Sequence, residues 1–217
     1  MQKEKLKIGF GCDDVLIPYA ESVLEYCNEK YKSDMKMKDL YSYHLSECIS
    51  RYLKISSEKV YDSIVEFDRS RLQGIKPYDE AMDGIEKLFR DDHELYLIDQ
   101  RRKELHKITD DMVNRYFKDK FMGTYPTKEA FALGPLLSKA EAAKAFELDL
   151  SVEVCPETSK EIARIGIDVV QLEKPWSMGQ SMRSDLGGII YPVRSLDGVF
   201  RKIDELSYES FQEFTRQ

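Results

Sequence analysis

The apolar positions of this chain change rhythm twice in its first hundred residues. The run Leu6-Lys7-Ile8-Gly9-Phe10 reads as a short strand that stops at Gly11-Cys12-Asp13-Asp14. From Tyr19 to about Leu72 the apolar residues return at helical spacing: Val23, Leu24 and Cys27, then Leu40, Leu45 and Ile49, then Val60, Ile64 and Phe67. Three consecutive helices with no strand between them read as an insert. Beyond Ile75-Lys76-Pro77 helices and strands alternate. The pattern predicts helices over 80–89, 103–117, 139–146 and 158–165, and strands over 95–98, near Phe121, and over 150–154 and 169–172. A further strand over 189–193 and one or two closing helices complete the chain. Ser138 with Glu141, and Thr158 with Glu161, both fit a capping box, in which paired side chains satisfy orphan N–H groups at a helix start.

Strands alternating with helices imply an α/β fold: a Rossmann-like parallel sheet covered on both faces, with ligands at the carboxyl ends of its strands. The reading divides the chain into an α/β core, 1–18 and 73–217, and a small all-helical cap, 19–72. Because the cap leaves and re-enters just after the first strand, it should lie over the carboxyl edge and control access to a site there. There is no internal repeat or low-complexity stretch.

Composition narrows the functional classes. Of 217 residues, 34% are charged and 42% hydrophobic, as expected of a globular soluble protein, and the net charge of −7 argues against a general nucleic-acid surface. No apolar run approaches the roughly 20 residues that span a bilayer, so no membrane partner is expected, and the charged start gives no leader segment. Cys12, Cys27, Cys48 and Cys155 form no CxxC pair or disulfide-framework spacing, which points to a reducing cytoplasm and to isolated, partly buried thiols.

Several strings, in order, resemble the motifs of the haloacid dehalogenase superfamily. The stretch 8–16, with Gly11-Cys12-Asp13-Asp14 after an apolar strand, is similar to its first motif, Asp-x-Asp. The helical insert matches its first cap position. The strand ending near Asp99 resembles the second motif, Ser138-Lys139 the third, and Val152-Glu153-Val154 the acidic fourth. The run 166–176, ending Lys174-Pro175-Trp176, is similar to the 5'(3')-deoxyribonucleotidase-like branch, where Pro-Trp-Asn is common.

The resemblance implies a phosphatase in which a first Asp attacks phosphorus, a second acts as general acid and base, Thr or Ser and Lys hold the phosphoryl group, and magnesium neutralises charge. This sequence departs from that scheme. Gly11 stands at the nucleophile position, Asp99 at the Thr/Ser position, and Val154 where a metal-ligating Asp is usual. Asp13, the acid–base position and a metal-ligand position, survives, as do the phosphate-binding Lys139 and the weak metal candidate Glu153. Shifting the register to Asp13 or Asp14 as nucleophile puts Val15 or Leu16 at the acid position and fails.

Nucleophile, metal ligand and phosphate clamp are thus lost together, and the expected function is that of a pseudophosphatase, a nucleotidase-like fold acting through an unknown protein partner or small ligand. On that reading no cofactor is expected. The alternative is an active hydrolase of nucleoside monophosphates, with Mg2+ as its cofactor. On the silent reading Lys139 pairs with Asp99, Glu153 or Asp13, Asp13 serves as a turn or helix-cap residue, and the pocket holds three carboxylates and one lysine. Arg101-Arg102-Lys103 reads as a solvated helix start, the tyrosines of the cap as half-buried packing residues, and Trp176 as a structural anchor.

Overall fold

The computed structural model describes residues 3–127, 137–178 and 187–214, with side chains up to 208. Six strands form one all-parallel sheet: β1 (Lys7–Phe10), β2 (Glu94–Asp99), β3 (Thr124–Pro126), β4 (Leu150–Glu153), β5 (Asp168–Leu172) and β6 (Ile190–Val193), in the order β3-β2-β1-β4-β5-β6. The chain runs outward from β1 to β3 and then returns to place β4 against the other side of β1. The strand order therefore reverses between β1 and β4, and a crevice opens there at the carboxyl edge.

The four inner strands are mostly buried on both faces, which is why they read as largely apolar runs. One face sets Ile98, Val169 and Ile190 against Ala140 and Ala143 of α6 (Lys139–Ala145) and Ile162 and Ala163 of α7 (Pro156–Arg164). The other sets Ile8, Phe10, Leu97, Val152 and Val170 in one cluster with Ile85 and Leu88 of α4 (Asp79–Arg90), Met112 of α5 (His106–Tyr116), and Val199 and Ile203 of α8 (Leu196–Phe214). Three helices, α1 (Tyr19–Tyr31), α2 (Leu45–Leu53) and α3 (Ser57–Ser70), stand between β1 and α4. Their apolar stripe, Val23, Leu24, Ile49, Val60 and Phe67, belongs to that same cluster, so these helices share the core of the sheet. Ser56 caps α3 by accepting the Lys59 N–H at 3.3 Å. No helix among the described residues is long and apolar enough to cross a membrane.

Two expectations are corrected. The strand expected near Phe121 lies at Thr124–Pro126. Phe121 instead packs edge-on against Phe10 and Phe117, at 6.2 and 5.7 Å between centroids, so its apolar character serves packing ahead of the strand. Helix α7 begins at Pro156 with Cys155 as N-cap, which leaves Thr158 inside the first turn rather than capping it. Proline is favoured at that first position because its missing N–H is one that no helical acceptor would use. The capping box at Ser138 is present: Ser138 Oγ accepts the Glu141 N–H at 3.2 Å, and Glu141 accepts the Ser138 N–H at 2.6 Å.

Candidate functional site

Gly11 sits just past β1, its N–H donating to the Val152 carbonyl at 3.1 Å, and so lies at the switch point. The chain then turns sharply. The Leu16 and Ile17 N–H groups both donate to the Cys12 carbonyl, and the Asp14 N–H donates to the Ile17 carbonyl. Asp14 takes a left-handed conformation, φ 60°, that aspartate tolerates better than most residues. Its carboxylate accepts the Ala20 N–H at 2.9 Å and holds the start of α1. The helix-cap role expected of Asp13 therefore belongs to Asp14. Burial pushes the Asp14 carboxyl up to about 7, opposed by the Ala20 N–H and by nearby Lys174.

Two charge clusters flank Gly11. On the α6 side, Lys139 at the first position of α6 donates to both carboxylate oxygens of Glu153, the last residue of β4, at 3.0 and 2.9 Å. Both residues are buried, at 6% and 2% exposure. Burial works against the Lys139 charge, but the Glu153 carboxylate more than offsets it, and the ammonium lies above its ordinary value. A Cβ on Gly11 would stand 3.1 Å from Lys139 Nζ and 3.3 Å from Glu153 Oε2. The ion pair thus crowds position 11 and would have to give by a few tenths of an ångström to admit a side chain there. Val154, next to Glu153, is buried, and its carbonyl accepts the Nε1–H of buried Trp176 at 3.1 Å, consistent with an anchoring tryptophan.

On the α5 side, Asp13 is ion-paired to Arg101, whose Nη1 donates to Thr109 Oγ1 at 2.8 Å. Thr109 in turn donates to Asp99 Oδ2 at 2.9 Å, and Arg101 Nε lies 3.9 Å from Asp99 Oδ1. Burial raises the Asp13 carboxyl; Arg101 pulls it down and Asp99 adds to the rise. The next residue, Arg102, donates to Asp68 of α3 at 2.8 Å, and the Tyr19 hydroxyl donates to the other Asp68 oxygen at 2.8 Å. These pairs line a cavity of about 300 Å3 between the inserted helices and the sheet edge.

The site residues read from the sequence are therefore gathered around the end of β1, and Lys139 is paired with Glu153 rather than with Asp13 or Asp99. The expectation of three carboxylates and a single lysine is corrected: Arg101 joins them. Arg101 and Arg102 are not a solvated helix start. Arg101 is only 7% exposed. The one signal that could have found them is position, since they directly follow a strand whose carboxyl end borders the site. Among the cap tyrosines, Tyr41, Tyr52 and Tyr61 are about half-buried, as expected, whereas Tyr26 is buried. All four cysteines are buried and free, and burial raises the Cys12 thiol.

No protein-family model matches the sequence, and no curated protein is similar to it. Solved structures do match. A predicted phosphatase from Clostridium acetobutylicum superposes with TM-score 0.64 at 13% identity, covering 93% of this chain and 99% of that one. A haloacid dehalogenase-like family hydrolase from Streptococcus pneumoniae gives 0.61 at 13%, covering 91% and 98%. The fold is that of the haloacid dehalogenase-like hydrolases. A third such hydrolase, from Xanthomonas campestris, gives 0.54 at 14%, covering 95% and 99%.

Magnesium, the metal implied by that resemblance, does not suit the donors present. It demands several hard oxygens in near-octahedral array. Gly11 and Val154 offer no side-chain oxygen, Glu153 has both oxygens on Lys139, and Asp13 is turned to Arg101. Among the described residues no group of three or more His, Cys, Asp or Glu is placed to hold a metal ion.

Proposed function

We propose that this chain is a catalytically silent relative of the haloacid dehalogenase-like phosphatases, nearest in kind to the 5'-nucleotidase-like branch, and that it acts by binding a small ligand or a protein partner. One observation carries the reading: position 11 has no nucleophile, and the lysine beside it is held within the buried Lys139–Glu153 pair. An attacking carboxylate needs a clear approach to phosphorus and a cation free to hold the phosphoryl oxygens. Here the lysine is already neutralised from within. The acid–base position, Asp13, is likewise engaged, by Arg101.

The competing reading, a magnesium-dependent hydrolase of nucleoside monophosphates, draws its support from Asp13, Lys139 and the likeness of 166–176 to the nucleotidase branch. Phosphate release from ribo- and deoxyribonucleoside monophosphates with magnesium separates the two. The parent protein is expected to be inactive, as is Asp13→Asn, and turnover to emerge, if anywhere, in Gly11→Asp with Val154→Asp. Turnover by the parent that disappears in Asp13→Asn would overturn the silent reading.

A further inference from the structure

We infer that the cavity between the inserted helices and the sheet edge takes an uncharged, single-ring aromatic molecule bearing an O–H or N–H donor. This deepens the binding role proposed above and rests on it. At about 300 Å3 the cavity is at the small end of ligand pockets, enough for one ring with a short substituent. Its walls include the rings of Tyr19, Tyr43 and Tyr61 with Ile64 and Leu105 between them, surfaces on which an aromatic ring packs well.

Charge decides the class. Besides His44, the acidic and basic side chains that line the cavity sum to zero and are paired as Asp13 with Arg101 and Asp68 with Arg102. Each arginine has further company: Thr109 and Asp99 for Arg101, and Glu104 at 3.4 Å for Arg102. An anionic ligand would meet arginines already engaged by Asp13 and Asp68 and would lie beside those carboxylates. A cation would lie close to the two arginines that border the same wall. Arg101 Cζ lies 5.9 Å from the Tyr19 centroid and Arg102 Cζ 6.0 Å from that of Tyr61. A neutral ring meets neither penalty. It can also donate to Asp13, whose side chain keeps 20% of its surface exposed at the cavity wall while one oxygen serves Arg101.

The test is calorimetric titration of the full chain at neutral pH with three probes that share a ring and differ in charge: 4-hydroxybenzyl alcohol, 4-hydroxybenzylamine and 4-hydroxybenzoate. The alcohol is expected to bind at least about tenfold more tightly than either charged probe, and Tyr61→Ala, at an exposed position, to weaken it. The inference is overturned if a charged probe binds as well as the alcohol, if Tyr61→Ala leaves the alcohol's affinity unchanged, or if the alcohol shows no binding at about 10 mM. Phosphate release from phenyl phosphate, measured on the same preparation, judges the silent-site reading separately: turnover there would sink that reading whatever the order of the three probes.

Discussion

The two flanks of Gly11 are built from similar charges and put to different use. On the α6 side one lysine and one glutamate close on each other between a strand and a packed helix, directly against Gly11. On the α5 side two arginines and three aspartates are spread along a ladder that reaches from β2 to α3, and part of that ladder faces an open cavity. Pairing alone does not tell a structural charge from one that lines a site. What distinguishes them is whether the paired groups come from elements already packed together or from elements that meet only at a rim.

Breaking the closed flank should have the largest effect. Lys139→Met leaves Glu153 buried without its counter-charge, and the expected loss is about 3–5 kcal/mol in urea unfolding. The double variant Lys139→Met with Glu153→Leu should recover most of that loss, since replacing a buried pair outright is often neutral. If the single variant costs no more than a surface substitution, the pair is not the packed element described above.

A further buried acid, Asp14, holds the start of α1. A carboxyl raised to about 7 in the folded chain, against about 4 when unfolded, binds more protons folded than unfolded between those values. Its contribution to stability is therefore full below about pH 4 and lost as pH rises through 7, by at most about 4 kcal/mol. Asp14→Asn retains an oxygen for the Ala20 N–H and suits the left-handed backbone. It should flatten the dependence of the urea midpoint on pH from 4 to 8, and an unchanged slope would remove Asp14 from the account.

The open flank should give the smallest change. Arg102→Met removes the tie to Asp68 at a partly exposed position, with an expected cost of about 1–2 kcal/mol. The loss should fall on α3, seen as faster amide exchange there than in β1 or β4. Uniform acceleration across the sheet would mean that the ladder, too, is a core element.

Sequence periodicity located nearly every element because the inner strands of the sheet are buried on both sides and read as largely apolar runs. It misplaced β3, a three-residue edge strand preceded by an aromatic residue used for packing. The ordered motif positions brought Gly11, Asp13, Asp99, Lys139 and Glu153 to the end of β1. What they could not supply was the choice of partner. Lys139 had three candidate carboxylates in sequence, and only the place of α6 above β4 selects Glu153. Arg101 and Arg102 read as surface because burial of an arginine depends on distant groups, here Asp13 and Asp68, that no local pattern connects to them.

Trp176 is the single tryptophan of the chain. Its indole is held at the tip of β4 and meets the ring of Tyr43 edge-on at 6.0 Å, across the boundary between the inserted helices and the sheet. The molecule thereby carries its own optical reporter. Emission from one buried fluorophore, in contact with Tyr43 of the insert, makes the seating of the helical insert visible without a label.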